Sequence, residues 1–173
     1  MPIFPYAPNS PEGLAARWVR WAAATGPVRN PLADTTGRHA HRNQPDDVWF
    51  LGGCFGGAVE RRCEAPSDRP FFFPAFNMWC PHGTYIPPLP QARGAVEVDG
   101  RPHPVVVIDA DQLFEVRGAW LNPVTRRRRA TPMRVWGIWA MVDELPPGDH
   151  TIRFTGSDGH GFHLGVAYHL RTV

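Results

Sequence analysis

Three strand-like segments near the C-terminal end constrain the fold of this chain most. The run 133–142 is apolar apart from Arg134, whereas 150–155 and 162–171 alternate between apolar and polar residues. A Leu-Pro-Pro-Gly-Asp turn at 145–149 separates the first two segments. Short strands joined by tight turns are typical of antiparallel sheets. We therefore predict a mainly β protein, either an antiparallel β-sandwich or a jelly-roll-like barrel, with one N-terminal helix.

Length and turn content favour a single domain spanning residues 1–173. A chain of this size buries enough surface to form a core and a pocket. Its 20 Pro and 17 Gly residues favour many short strands over a helical bundle. We expect a helix at about 11–25, a long loop at 27–47 and a β-rich remainder at 48–173.

The predicted helix has a clear start and an aromatic face. Ser10 is a suitable N-cap, and Pro11 suits the first helical position. Trp18 and Trp21 lie three residues apart and therefore share one face. The helix either covers the sheet structure with these two rings or forms a lid over a pocket.

Charge composition excludes some chemistry. All 18 basic residues are Arg, which excludes lysine Schiff bases and is typical of GC-rich coding, as in actinobacteria. The formal net charge of +2 does not favour a nucleic-acid partner. The run 126–129 consists of four Arg residues and could contact phosphates, but it contains no stacking aromatic residue. A solvated loop tip is the simpler interpretation.

Nothing in the sequence indicates export or a membrane span. The N-terminal residues lack a basic segment followed by an apolar run, and no stretch approaches the ~20 apolar residues of a transmembrane helix. Three Cys residues are an odd number. We expect a cytoplasmic protein with reduced thiols and no membrane partner.

Several segments together resemble a family of mostly uncharacterised bacterial proteins, many of them secreted. They are 30–37, 48–57 with its Trp-Phe-Leu-Gly-Gly motif, 62–63, 71–77, 145–154 and 168–170. The resemblance implies a β-rich fold and carries no established activity. Where relatives have a Cys near position 40, this chain has His39-Ala40-His41. The resemblance therefore implies that no disulfide forms from that loop, which favours a cytosolic member.

Metal and nucleophile candidates are present but weak. Cys54 in a glycine-rich stretch and Cys80 beside His82 are candidate nucleophiles, and two small buried thiols are the simpler interpretation. No pair of His or Cys residues has the spacing of a zinc finger or a zincin. We predict no metal and no cofactor. The candidate ligand pairs are His39 with His41, Cys80 with His82, and His160 with His163.

The aromatic surplus points to a pocket. Both faces of the strand at 133–142 are apolar, so it lies between two layers or lines a cavity. A few polar groups in such a cavity would orient a ligand. We expect the substrate-binding wall to comprise Trp49, Phe76, Met78, Trp79, Trp120, Trp139, Met141 and His163. The candidate catalytic residues, which could donate a hydrogen bond to a polarised carbonyl, are Asn77, His82 and Tyr85.

These features favour an enzyme whose partner is a small apolar molecule. The leading hypothesis is a cofactor-independent cyclase or isomerase that binds a polyketide-like secondary-metabolite intermediate in the aromatic pocket and shapes its cyclisation, pericyclic cyclisation included. One alternative is a non-catalytic β-sandwich that binds a carbohydrate or another small ligand. A second alternative is a jelly-roll enzyme with a His-bound metal. The sequence does not decide between a monomer and a homo-oligomer.

Overall fold

Two β-sheets pack face to face, and one helix covers the outer face of the smaller sheet. A computed structural model describes residues 4–82, 84 and 86–173. Helix α1 spans Pro11–Ala23, and a short 3-10 helix follows at Pro27–Arg29. The strands are β1 Trp49–Phe50, β2 Gly57–Ala65, β3 Phe71–Pro81, β4 Arg93–Val98, β5 Arg101–His103, β6 Val106–Val116, β7 Thr131–Val142, β8 Gly148–Ser157 and β9 His163–Thr172.

The strand order confirms a β-sandwich. The first sheet has the order β1-β3-β7-β6, and the second has the order β2-β9-β8-β4-β5. Within the described ranges neither sheet closes into a barrel. Most neighbours are antiparallel, but β1 pairs with β3 and β2 pairs with β9 in parallel. The last strand therefore lies inside its sheet, between β2 and β8.

Strand β7 lies between two apolar layers, as its sequence predicts. Trp139 is fully buried on the side of α1, where it stacks on Phe72 at 5.1 Å between ring centroids. Ala140 and Val142 are buried on the other side, against the second sheet. Residues 137–140 of this strand are therefore buried on both faces, because one face meets the helix and the other meets a sheet.

Helix α1 begins at the predicted cap and covers a sheet face. The Ser10 hydroxyl oxygen accepts a hydrogen bond from the Gly13 amide at 3.1 Å. The helix ends at Ala23, two residues before the predicted end. Trp18 donates its indole N–H to the Leu51 carbonyl, and Trp21 donates to the Arg42 carbonyl. These two bonds tie the helix to both loops beside it.

Two strands differ from expectation. The apolar segment at 104–108 is typical of a central strand, but β6 is an edge strand, and Val106 and Val107 are 53% and 59% exposed. Strand β2 was not predicted, because its alternating exposed residues include charged Glu60 and Glu64 and resemble a loop. Its pairing with β9 comes from residues about a hundred positions away, which local patterns do not reveal.

None of the helices in the described ranges is long and apolar enough to cross a membrane.

Candidate functional site

A cavity of about 170 Å³ lies between α1, the glycine-rich segment 52–57 and one edge of β3. Strand β1 pairs with β3 only at Phe71 and Phe72. Beyond Phe72, no described strand pairs with this edge of β3. A cavity of roughly 150 Å³ is large enough for a benzene ring. The aromatic side chains that line it are Trp18, Phe55, Trp79 and Phe162.

Two buried N–H groups beside this cavity have no hydrogen-bond partner among the described residues. They are the side-chain amide of Asn77, which lines the cavity, and the indole N–H of Trp139. Trp139 is fully buried and packs edge-on against Trp18, 5.6 Å between ring centroids. A buried donor without an acceptor costs about 1–3 kcal/mol. Both nitrogen atoms are shielded from solvent and Trp139 does not line the cavity, so an acceptor on a bound molecule would recover that free energy only after a small shift of the wall residues.

Gly137 lies between these two side chains. It faces Asn77 across the β3–β7 ladder, two residues before Trp139 on the same face of β7. A Cβ atom on Gly137 would lie 2.6 Å from the Trp139 indole nitrogen and 2.8 Å from the Asn77 Cβ. The missing side chain therefore makes the room in which both groups sit, a use of glycine inside a strand that permits close approach.

The glycine-rich segment leaves space at the cavity. Gly53 is buried and lines the cavity, yet a Cβ atom added to it would meet no atom within 4 Å. A buried Cβ position without neighbours must face the empty volume. Cys54 also lines the cavity, and its thiol is 3.6 Å from the Gly56 carbonyl oxygen. The cavity wall on this side is therefore backbone and one small thiol.

Arg61 holds the loops that form the cavity, and sequence reasoning did not identify it. Its side chain is 1% exposed and faces Tyr168 of β9. The guanidinium donates to the Tyr168 hydroxyl and to four backbone carbonyl groups at distances of 2.5–3.0 Å. None of these partners is a carboxylate. The four carbonyl groups belong to Leu32, Asp34, Gly52 and Gly53.

Tyr168 completes this buried network. Its hydroxyl donates to the Gly52 carbonyl and accepts from the Gly52 amide, both at 3.0 Å. Burial raises the pKa of Tyr168 above its ordinary value, although the Arg61 charge acts in the opposite direction. The phenol therefore stays protonated and can make both bonds. Because Gly53 follows Gly52, the network positions the cavity wall directly.

The structure separates the predicted wall residues, which corrects the expectation that they share one cavity. Asn77 and Trp79 line the cavity because they lie on the helix-facing side of β3. Phe76 and Met78 alternate with them along β3 and take the other side. Trp49, Phe76 and Trp139 are buried in hydrophobic clusters. Outside the cavity wall lie Trp120 and His82 in a second groove, His163 in a shallow groove on the second sheet, and exposed Met141.

Tyr85, the third predicted catalytic residue, lies outside the described residues.

Thiol and metal chemistry find little support in the described ranges. No group of three or more His, Cys, Asp or Glu side chains there is close enough to hold a metal ion. Burial raises the pKa of the Cys63 thiol to about 12, and it also raises the pKa of Cys80. A thiol with a raised pKa is a poor nucleophile, because the thiolate is the reactive form. The pairing of Cys80 with His82 therefore does not suggest a catalytic dyad.

No protein-family model, curated protein or solved structure matches this chain. The geometry of the cavity is therefore the basis for a functional proposal.

Proposed function

We propose that this protein binds a small, largely apolar molecule with a carbonyl or similar acceptor group in the cavity beside Asn77. The supporting observation is the pair of unpartnered donors, on Asn77 and Trp139, next to an aromatic-lined volume. Small-molecule sites typically combine apolar walls with a few polar groups that orient the ligand. The apolar part of the ligand would contact Trp18 and Trp79. Its acceptor atom would accept hydrogen bonds from the unpartnered N–H groups.

The cavity volume limits the ligand. About 170 Å³ is below the roughly 300–1,000 Å³ of sites for drug-sized molecules. One aromatic ring fits, and a longer molecule would extend past Phe55 and the glycine-rich segment. A carbohydrate platform built from several Trp side chains is less well supported, because Trp120 is the only strongly exposed Trp in the described ranges.

The catalytic form of this proposal is a cofactor-independent cyclase or isomerase acting on a polyketide-like intermediate. The observation that favours it is the Asn77 amide, because a fixed donor at a carbonyl oxygen stabilises negative charge that develops there in the transition state. One ring of the intermediate would occupy the cavity. The cavity walls would then hold the chain of the intermediate next to that ring in a reactive conformation.

Binding is tested with two probes of similar size, acetophenone and ethylbenzene, by titration calorimetry. We expect acetophenone to bind more tightly, because only it carries an acceptor. The Asn77→Leu variant should reduce the difference between the two probes, since it leaves only the Trp139 N–H as a donor. Equal affinities in the wild-type protein, or no detectable heat with either probe at about 1 mM, would overturn the proposal.

A cavity-filling variant locates the site. Gly53→Leu places a side chain in the empty volume and should abolish binding of both probes. Gly165→Leu is the matched control, since a Cβ atom there also meets no atom within 4 Å but Gly165 lies on β9, outside the cavity wall. Binding that survives Gly53→Leu would place the ligand elsewhere.

Catalysis is tested by following the cyclisation of a linear aromatic polyketone with and without the protein. Asn77→Leu should lower the rate constant by about 10²-fold while the substrate still binds. A rate in the presence of the wild-type protein equal to the rate in buffer would refute the catalytic form and leave the binding proposal to its own test.

A further inference from the structure

A second, larger concave surface lies at the end of β3, away from the cavity wall. This groove has a volume of about 710 Å³ and is lined by the arginine run Arg126–Arg129, by Trp120 and by His82. We call it the arginine groove. Its remaining lining residues are Pro81, Val124, Thr125 and Thr131, so no acidic side chain lines it among the described residues.

The four guanidinium groups of the arginine groove have no partner among the described residues. All four side chains are exposed, and none makes a hydrogen bond or an ion pair with another described residue through its guanidinium. Four adjacent positive charges repel one another, and a bound anion would reduce that repulsion. Arg binds phosphate oxygens well, because its planar fork can donate two parallel hydrogen bonds.

The loop that carries these arginines is held in a defined conformation by Asn122. This side chain is fully buried. Its amide nitrogen donates to the carbonyl groups of Ala119 and Arg127, at 2.7 and 3.1 Å. Its oxygen accepts from the backbone amides of Val124 and Thr125, at 3.0 and 2.8 Å. A loop fixed in this way pays less conformational entropy when it binds a ligand.

Trp120 provides an aromatic surface in the same groove. Its side chain is 62% exposed, unlike the fully buried Trp18 and Trp139. Its position is fixed from both sides, because Ala119 donates to the Ala23 carbonyl at 2.9 Å and Leu121 donates to the Arg126 carbonyl at 3.2 Å. An exposed indole beside positive charges is the combination that stacks on the planar base of a phosphorylated ligand.

We propose that the arginine groove binds a free nucleotide, with its base on Trp120 and its phosphates at Arg126–Arg129. The open groove has a volume of about 710 Å³, which lies within the size range of small-molecule sites. The net charge of +2 does not favour a nucleic-acid polymer. An anionic membrane would be contacted by exposed Leu121 and Val28, and neither of them lines the groove. The site is separate from the cavity beside Asn77.

The test is titration calorimetry of the wild-type protein with ATP, adenosine and inorganic triphosphate at about 50 mM salt. We expect ATP to bind more tightly than either fragment, and its affinity to fall as the salt concentration rises. Trp120→Ala should weaken ATP binding about tenfold without affecting triphosphate. The double variant Arg127→Gln, Arg128→Gln should weaken both ATP and triphosphate.

A matched control removes the same charge elsewhere. The double variant Arg101→Gln, Arg153→Gln changes two exposed arginines of the second sheet and should bind ATP like the wild type. Equal loss in both double variants would show a general charge effect and overturn the site. No ATP binding, equal affinity for ATP and triphosphate, or binding confined to an oligonucleotide or to anionic vesicles would also overturn the proposal.

Discussion

Replacing Arg61 with Met should destabilise the protein strongly, because this one side chain ties together the loops at the cavity. Met is about two atoms shorter than Arg and has no donors, so it keeps the apolar stem of the side chain and removes the hydrogen bonds. The Gly52 carbonyl keeps its hydrogen bond from Tyr168. The carbonyl groups that lose this donor are those of Leu32 and Gly53, which are buried, and that of Asp34, which is half-buried.

The structure sets the size of this effect. Each buried acceptor left without a donor costs at least about 1 kcal/mol, the half-buried Asp34 carbonyl adds less, and the space left by the shorter Met side chain adds a packing loss, so we predict a total loss of about 3 kcal/mol. The Met variant no longer buries a charge that lacks a carboxylate partner. This gain in stability opposes the loss. Domains are stable by about 5–15 kcal/mol, so a change of this size is easily measured.

Urea unfolding followed by tryptophan fluorescence measures the free energy of unfolding of Arg61→Met and of a control variant. Arg62→Met is the matched control, because Arg62 is the next residue of β2 and is exposed, so its effect should be within about 0.5 kcal/mol. We expect the Arg61→Met variant to lose about 3 kcal/mol and also to lose acetophenone binding. If Arg61→Met and Arg62→Met destabilise the protein equally, the account of Arg61 as the organiser of these loops is refuted.

Three further predictions concern other parts of the fold. Gly137→Ala should lower the free energy of unfolding by about 1–3 kcal/mol in a urea titration, since its Cβ would lie 2.6 Å from the Trp139 indole nitrogen; an unchanged midpoint would contradict this. The hydrogen bond to Asp99 raises the pKa of His150. A raised folded pKa stabilises the protein below the unfolded value of about 6.5, and this contribution is lost as the pH rises through the folded pKa. The stability difference between wild type and His150→Gln should therefore be larger at acidic than at alkaline pH, and a pH-independent difference would count against it. Finally, burial raises the pKa of Cys63 to about 12, so iodoacetamide should leave this thiol unmodified in the native protein at neutral pH, as mass spectrometry of its peptides would show; rapid labelling would be the contrary result.

Local patterns in the sequence predict the parts of this fold that depend on neighbouring residues. The cap at Ser10 and the aromatic face of α1 follow from helical spacing. The Asp99-Gly100 turn between β4 and β5 has positive φ at both residues, as this dipeptide predicts for a tight hairpin. The burial of residues 137–140 of β7 on both faces follows from its largely apolar sequence.

The candidate site depends on contacts between distant segments, which explains why much of it was missed. Trp18, Gly53 and Asn77 come from a helix, a loop and a strand, and only the packing of α1 on the first sheet brings them together. Arg61 was missed because the charged sequence of β2 resembles a loop, and its pairing with Tyr168 is set by a parallel register with β9. Trp120 and the arginine run lie in one groove because the turn at Asn122 brings them together. The sequence alone does not show this turn.

The most direct test of the binding cavity is an NMR titration of the ¹⁵N-labelled protein with acetophenone. The account predicts that the Trp139 indole and Asn77 side-chain amide signals shift together, saturably and with one dissociation constant. The Trp49 indole N–H is an internal control, because it too is buried without a partner but lies in the cluster between the sheets. Shifts at Trp139 and Asn77 with no change at Trp49 are the expected result. Unchanged Trp139 and Asn77 signals, or equal shifts at all three side chains, would contradict the assignment of the cavity as the binding site.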